Sequence, residues 1–197
     1  MLIVFVAVIF FSFRLQQAVE APSVAFKTFM PDTAISGIEL IHWKSLVDKF
    51  AEDTSFVMKR LKKHKDFDFP FADFINDDKT QVLLLYTHPT LDLHDLSISE
   101  LKVEYAADYK KCGCVQFPDD DYKTSLGIKL GMNLKQVRNI VGKPTLKFQY
   151  QDEIVLEYRE TNKESAFLKR YNQPAYFAFY RFRNDSLKII HIGFDTH

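Results

Sequence analysis

Apolar and polar residues alternate along the carboxyl-terminal part of the chain, and this alternation is the period of a β-strand. It occurs in four segments: Leu146–Tyr150, Ile154–Arg159, Ala175–Phe182 and Leu187–Phe194. Asn184 and Asp185 separate the last two segments and are typical of a two-residue hairpin turn. Four consecutive strands of this kind predict an antiparallel meander.

A helix is predicted directly before the meander. Asn133 is a natural amino-terminal cap, Gly142 ends the helix, and Pro144 prevents its continuation. Between them, apolar residues recur at three- and four-residue spacing at Leu134, Val137, Ile140 and Val141. The sequence therefore predicts an α+β fold in which helices pack on an antiparallel meander sheet, with a carboxyl-terminal helix followed by four strands.

The amino-terminal half is predicted to contain a helix and strands of its own. Apolar spacing indicates a helix over Ile38–Lys65, and the apolar segments Gln81–His88 and Leu101–Tyr105 are predicted strands. Pro118 and the acidic residues 119–121 mark a turn between the halves. We predict three regions: a signal peptide at 1–21, an amino-terminal α+β half at 22–118 and a helix-plus-four-strand domain at 119–197.

The amino terminus has the pattern of an export signal. Leu2–Phe13 is an apolar run interrupted only by Ser12, and small residues such as Ala18 and Ala21 follow it. The run is shorter than the roughly 20 residues that span a bilayer, and it fits the apolar region of a secretory signal peptide. We therefore expect a periplasmic or secreted protein with no stable membrane span after cleavage. The alternative is a buried amino-terminal strand or helix.

Charge and composition narrow the classes of partner. Lysine plus arginine and aspartate plus glutamate each number 26, so the formal net charge is zero. Such a balance gives no long-range attraction to nucleic acid or to an anionic membrane. Phenylalanine occurs 19 times and tyrosine 9 times. These aromatic residues indicate either a phenylalanine-rich core or an aromatic binding surface.

The last predicted hairpin is apolar on both faces if its strands pair regularly around the turn. One face then carries Tyr176 and Tyr180, and the other carries Phe177 and Phe179. A half-exposed antiparallel sheet has one polar face, so another layer must cover the second apolar face. That layer is either the amino-terminal half or a partner protein. For a partner, the predicted anchors are Tyr150, Tyr158, Tyr176 and Tyr180.

Few residues suggest reactive chemistry. The two cysteines, Cys112 and Cys114, flank Gly113 and are predicted to form a strained disulfide in an oxidising compartment. Residues of the types that bind metals form one loose group in the sequence: His88, Asp92, His94 and Asp95. Their spacing does not match that of any common metal site, so we predict neither a metal nor a cofactor. Residues 119–121 are predicted to form a solvated turn. His191 is predicted to be a packed residue on a strand. Nucleophile-elbow and phosphate-loop motifs are absent from the sequence.

Residues 127–193 carry a recognisable set of landmarks. They read Gly131-Met132-Asn133-Leu134-Lys135-Gln136-Val137, then Val141-Gly142-Lys143-Pro144, and finally Phe182-Arg183-Asn184-Asp185-Ser186-Leu187. This pattern resembles the outer-membrane-assembly small lipoprotein family and the wider β-lactamase-inhibitor-like group. The resemblance implies a helix-plus-meander domain that binds other proteins without catalysis.

These observations together predict a non-catalytic protein-binding module of the cell envelope. Its partner is expected to be another envelope or secreted protein. Two alternatives stay open at the level of sequence. One is a thiol-disulfide-active protein centred on Cys112 and Cys114, and the other is an inhibitor of a secreted hydrolase.

Overall fold

Ten strands and two short helices make up the part of the chain that the computed structural model describes, which is residues 29–42, 45, 72–87, 97–109 and 114–195. The strands of the amino-terminal half are β1 (Ala34–Ile35), β2 (Ile38–Glu39), β3 (Ala72–Ile75), β4 (Gln81–Thr87), β5 (Ile98–Tyr105) and β6 (Val115–Gln116). They are followed by helix α1 (Leu134–Val141), β7 (Leu146–Tyr150), β8 (Glu153–Glu160), helix α2 (Ala166–Tyr171), β9 (Ala175–Arg183) and β10 (Ser186–Asp195).

Eight of the strands form one sheet, in the order β6-β3-β4-β5-β10-β9-β8-β7. All neighbours in it are antiparallel except β3 and β6, which are parallel. The last strand, β10, lies in the middle and pairs with β5, for example through Ile190 and Val103. Strands on both sides of the predicted boundary at residue 118 therefore belong to one sheet.

The predicted α+β fold with packed helices is wrong. The described residues are mostly β, with an eight-stranded mixed sheet, a two-stranded sheet and only two helices, of 8 and 6 residues. The predicted helix over Ile38–Lys65 fails at its start, because Ile38 and Glu39 form a strand that pairs with β1. Ser36 and Gly37 both have positive φ and make the tight turn of this hairpin. Most of the remaining segment lies outside the described residues.

The predicted carboxyl-terminal strands are confirmed, each to within a residue at either end. Asn133 caps α1 in a reciprocal capping box with Gln136, and the helix ends at Gly142, as predicted. Helix α2 was not predicted. It interrupts the meander between β8 and β9, begins at the cap Ser165, and ends at Asn172 in the left-handed conformation.

A β-bulge changes the register of the last hairpin. Leu187 pairs with Phe182 as predicted, but Ile189 then pairs with Arg181, which leaves Lys188 as the extra residue. From that point every β10 side chain lies on the face opposite to the predicted one. The prediction that both faces are apolar is therefore wrong, because the outer face also carries Arg181 and His191.

The other face of the sheet forms the core. The β1–β2 hairpin, α1 and α2 cover it through Ile35, Val137 and Leu168. On the sheet itself, β9 and β10 contribute only buried side chains to this face: Tyr176, Ala178, Tyr180, Phe182, Leu187, Ile190, Ile192 and Phe194. Many of the aromatic residues in the described part of the chain thus lie in the core.

Candidate protein-binding edge

Three of the four predicted tyrosine anchors are core residues. Tyr158, Tyr176 and Tyr180 are each 0% exposed. The Tyr158 hydroxyl donates to the Gly142 carbonyl at 3.1 Å, and burial raises the pKa of Tyr158 to about 12. A partner has no access to these three side chains. Tyr150, the fourth, is 62% exposed.

Tyr176 belongs to a buried polar cluster rather than to a surface. Its hydroxyl donates to the Asp32 carbonyl at 2.8 Å and accepts from the Asp32 amide at 3.1 Å. The Asp32 carboxylate accepts from the Ser125 hydroxyl at 2.5 Å. Burial raises the pKa of Asp32 despite the hydrogen bonds that favour its charged form. The cluster ties the segment before β1 to the core of the sheet.

Some of the reactive groups singled out in the sequence lie outside the described residues, and the others lie within them. Cys112 and the loose cluster at His88–Asp95 lie outside the described residues, so the disulfide to Cys114, which directly precedes β6, stays a prediction. Asp121 accepts from Lys129 at 2.7 Å, and the hydrogen bond and charge of that lysine lower the pKa of Asp121. His191 Nε2 lies 2.6 Å from the Glu100 carboxylate on the outer face of the sheet.

Among the described residues, the exposed apolar side chains are concentrated on strand β7. All five of its residues are exposed, and it is the last strand of the sheet. Leu146, Phe148 and Tyr150 are 51%, 39% and 62% exposed. They lie opposite Glu157, Val155 and Glu153 of β8, so they share the outer face. Only two other large hydrophobic residues of the described chain are exposed, Met30 and Ile140.

In the part of the chain that the structure describes, no strand pairs with the second side of β7. The β7–β8 turn contains only Gln151 and Asp152, so the flanking residues Tyr150 and Glu153 form a hydrogen-bonded pair. Because such pairs alternate along an antiparallel ladder, Phe148 also bonds to β8, whereas the N–H and C=O groups of Lys147 and Gln149 point away from the sheet. The edge therefore offers outward-pointing hydrogen-bonding groups beside a row of apolar side chains.

Five charged residues that border this row are paired within the chain. Arg183 binds Asp152 and Glu153 at 3.0 and 2.9 Å. Arg159 pairs with Glu157, and its guanidinium lies 5.7 Å from the Phe179 ring centroid. An apolar strip with a polar, internally paired border is the usual anatomy of a protein interface. We refer to Leu146–Tyr150, with its outward backbone groups and outer-face side chains, as the β7 edge.

The described residues suggest no other chemistry at this edge. Among them, no group of three or more histidine, cysteine or acidic side chains has the geometry to hold a metal ion. No helix in the described part of the chain is long and apolar enough to cross a membrane. Comparison with protein-family models, with curated proteins and with solved structures gives no match. The resemblance of residues 127–193 to the assembly-lipoprotein family therefore stays a prediction.

Sequence reasoning identified Tyr150 but missed Leu146 and Phe148. The signal was present, since Leu, Phe and Tyr alternate with Lys and Gln in this strand. The pattern gives one apolar face, but it does not reveal that the strand stands at the end of the sheet. That position follows from the order of all eight strands.

Proposed function

We propose that this protein is a non-catalytic protein-binding module of the cell envelope, and that it binds another polypeptide as an added strand along the β7 edge. The exposed apolar row Leu146, Phe148 and Tyr150 on an edge strand carries the proposal. In strand addition, main-chain hydrogen bonds supply affinity and alternate side chains supply specificity. The β7 edge presents both. The envelope location rests on the apolar segment Leu2–Phe13.

The surroundings of the edge support binding rather than chemistry. Glu153, Glu157, Arg159 and Arg183 are held in ion pairs with one another or with Asp152, so none of them is left as an unpaired charge beside the apolar row. Tyrosine and phenylalanine are also enriched at protein interfaces relative to the rest of the protein surface. The β7 edge therefore has the composition of a contact surface.

A photocrosslinking experiment tests this function. The full chain is produced in cells with p-benzoylphenylalanine in place of Phe148, and separately in place of the exposed Lys163 between β8 and α2 as a positional control. We expect a discrete protein adduct from position 148 and none of the same mass from position 163. Adducts of equal yield from both positions would contradict binding at the edge.

Proline substitution tests whether the binding uses the backbone. Lys147→Pro removes an amide that points away from the sheet, so the β7–β8 ladder should survive while strand addition is blocked. The adduct from position 148 should disappear in this variant and persist in Lys147→Thr, which keeps the amide. Thermal unfolding should show that both variants stay folded. An adduct that survives Lys147→Pro would mean that side chains alone make the contact.

A further inference from the structure

We infer that the strand added at the β7 edge is β7 of a second copy of this chain, so that two molecules form a dimer with one continuous sheet. The inference rests on the proposed function of the β7 edge and names its partner. The β7 edge matches its own two-fold copy in three respects: hydrogen bonds, apolar side chains and charge.

The hydrogen-bonding groups of the edge match those of a second copy in one particular register. If two β7 strands run antiparallel with the two-fold axis at Phe148, Lys147 lies opposite Gln149 of the second copy. Both residues carry outward N–H and C=O groups, so they form hydrogen-bonded pairs. Phe148 then lies opposite its own equivalent in the closer, non-hydrogen-bonded type of pair. An interface with two-fold symmetry must be self-complementary in this way.

The side chains match in the same register. Leu146 lies opposite Tyr150 of the second copy on the outer face, and the two Phe148 rings lie against each other. The three apolar side chains of each edge, which are 39% to 62% exposed in one molecule, are thereby brought together in a single cluster. The two outer faces continue into each other without a break.

Charge distinguishes this register from its neighbours. With the axis at Phe148, the basic Lys147 faces a neutral amide. With the axis at Lys147, the two lysines would lie directly opposite each other, which is destabilising. With the axis at Gln149, Leu146 would face Asp152. The register at Phe148 is therefore the one that avoids both conflicts.

The size of the contact sets the expected affinity. A five-residue edge buries less than the roughly 1,200 Å² of a standard stable interface. We expect a dimer that dissociates in roughly the micromolar range, so that it forms and separates reversibly.

Sedimentation equilibrium on the full chain, over a concentration series reaching roughly 1 mM, is the first measurement. The unmodified chain should show a reversible monomer–dimer equilibrium. Phe148→Lys places two cations at the axis and should weaken the dimer by roughly tenfold or more. Lys163→Ala, at an exposed site away from the edge, should leave the equilibrium unchanged.

Two variants of one residue then test the register. Gln149→Glu places a carboxylate opposite Lys147 twice in each dimer and should tighten association by roughly two- to tenfold. Gln149→Lys places like charges there and should weaken it by a similar factor. Both effects should diminish at high salt. The same sign of change for both variants would overturn the proposed register.

A disulfide provides a covalent test of the axis. Residues in a non-hydrogen-bonded pair have Cα atoms about 4.5 Å apart, within the range that a disulfide bridges. Phe148→Cys should therefore give a covalent dimer under mild oxidation. Leu146→Cys should not, because its own equivalent lies several residues away.

The failure of this inference can be separated from failure of the proposed function. A chain that stays monomeric at all concentrations overturns self-pairing, and Lys147 then acts as an edge charge that prevents it. If such a chain still gives an adduct of different mass from position 148, lost in Lys147→Pro, the β7 edge binds a different protein. Absence of both dimer and adduct overturns both proposals.

Discussion

Asp32 shows how a single buried carboxylate couples the stability of this fold to pH. It is 1% exposed, and one of its carboxylate oxygens has no hydrogen-bond partner. Because burial raises the pKa of Asp32 in the folded state above the value of 3.8 for an unfolded chain, folding favours the protonated form. The contribution of Asp32 to stability is fully present below the pKa that it has in the unfolded chain. This contribution declines as the pH rises through the pKa of Asp32 in the folded state.

Asp32→Asn should remove this pH dependence. The amide keeps an oxygen to accept from Ser125 and carries no charge at any pH. We therefore expect the free energy of unfolding of the variant, relative to the unmodified chain, to increase from acidic to neutral pH. Urea denaturation at a series of pH values measures it.

Asp121→Asn is the matched control, because it should change the pH dependence of the unfolding free energy in the opposite direction. Lys129 lowers the pKa of Asp121, so its contribution is present above the unfolded pKa and lost as pH falls through the folded one. Parallel pH profiles for the two variants would contradict the assignment of opposite shifts.

At the scale of single elements, the β9–β10 turn links the sheet to α1. Asn184 and Asp185 both have positive φ, at 51° and 54°, as a type I′ turn requires. The Asp185 carboxylate also accepts from the Leu134 amide at 3.2 Å, at the start of α1. One side chain thus shapes the hairpin and satisfies an amide that the helix itself leaves unpaired.

Asp185→Ala should therefore destabilise the fold by about 1–2 kcal/mol, since it removes the acceptor and places alanine in a left-handed conformation. Asp185→Asn keeps an oxygen acceptor and tolerates this conformation, so it should stay within about 0.5 kcal/mol of the unmodified chain. Thermal or urea unfolding compares the two variants. Equal losses would show that the negative charge, rather than geometry, matters at this position.

The elements that the sequence predicts well are those with local signals. Asn133, Gly142 and the Asn184–Asp185 turn are each specified by a few neighbouring residues, and the strands around them show a clear two-residue period. The bulge at Lys188 has no such signal. It exchanges the faces of β10, so that Ile190 pairs with Tyr180 on the core face and His191 lies on the outer face.

At the scale of the whole molecule, the ladder between β5 and β10 joins the two parts of the sheet. Gly193 lies in this ladder, between Glu100 and Phe177. A Cβ atom at this position would lie 2.8 Å from the Phe177 ring and 2.9 Å from the Ser99 carbonyl oxygen. Only glycine fits between the strands here without displacing a neighbour. The sequence does not reveal this, because the pairing joins residues far apart in the chain.

Gly193→Ala should cost about 1–3 kcal/mol of unfolding free energy through overpacking. Shortening the opposing ring should relieve part of the clash, so Gly193→Ala combined with Phe177→Leu should be less destabilising than the sum of the single variants. Urea denaturation of the unmodified chain, the two single variants and the double variant measures the coupling energy between the two substitutions. Strict additivity would mean that the Glu100 side chain or the Ser99 carbonyl, rather than the ring, limits the space.

The central position of β10 has a consequence for how the protein is made. β3, β4 and β5 are synthesised early, but the strand that pairs with the free side of β5 consists of residues 186–195. A ribosome-bound chain therefore carries an incomplete sheet with an open edge until residues 186–195 emerge. Long-range pairing of this kind forms slowly. Removal of β10, unlike loss of a peripheral strand, would leave the two parts of the sheet with no ladder between them.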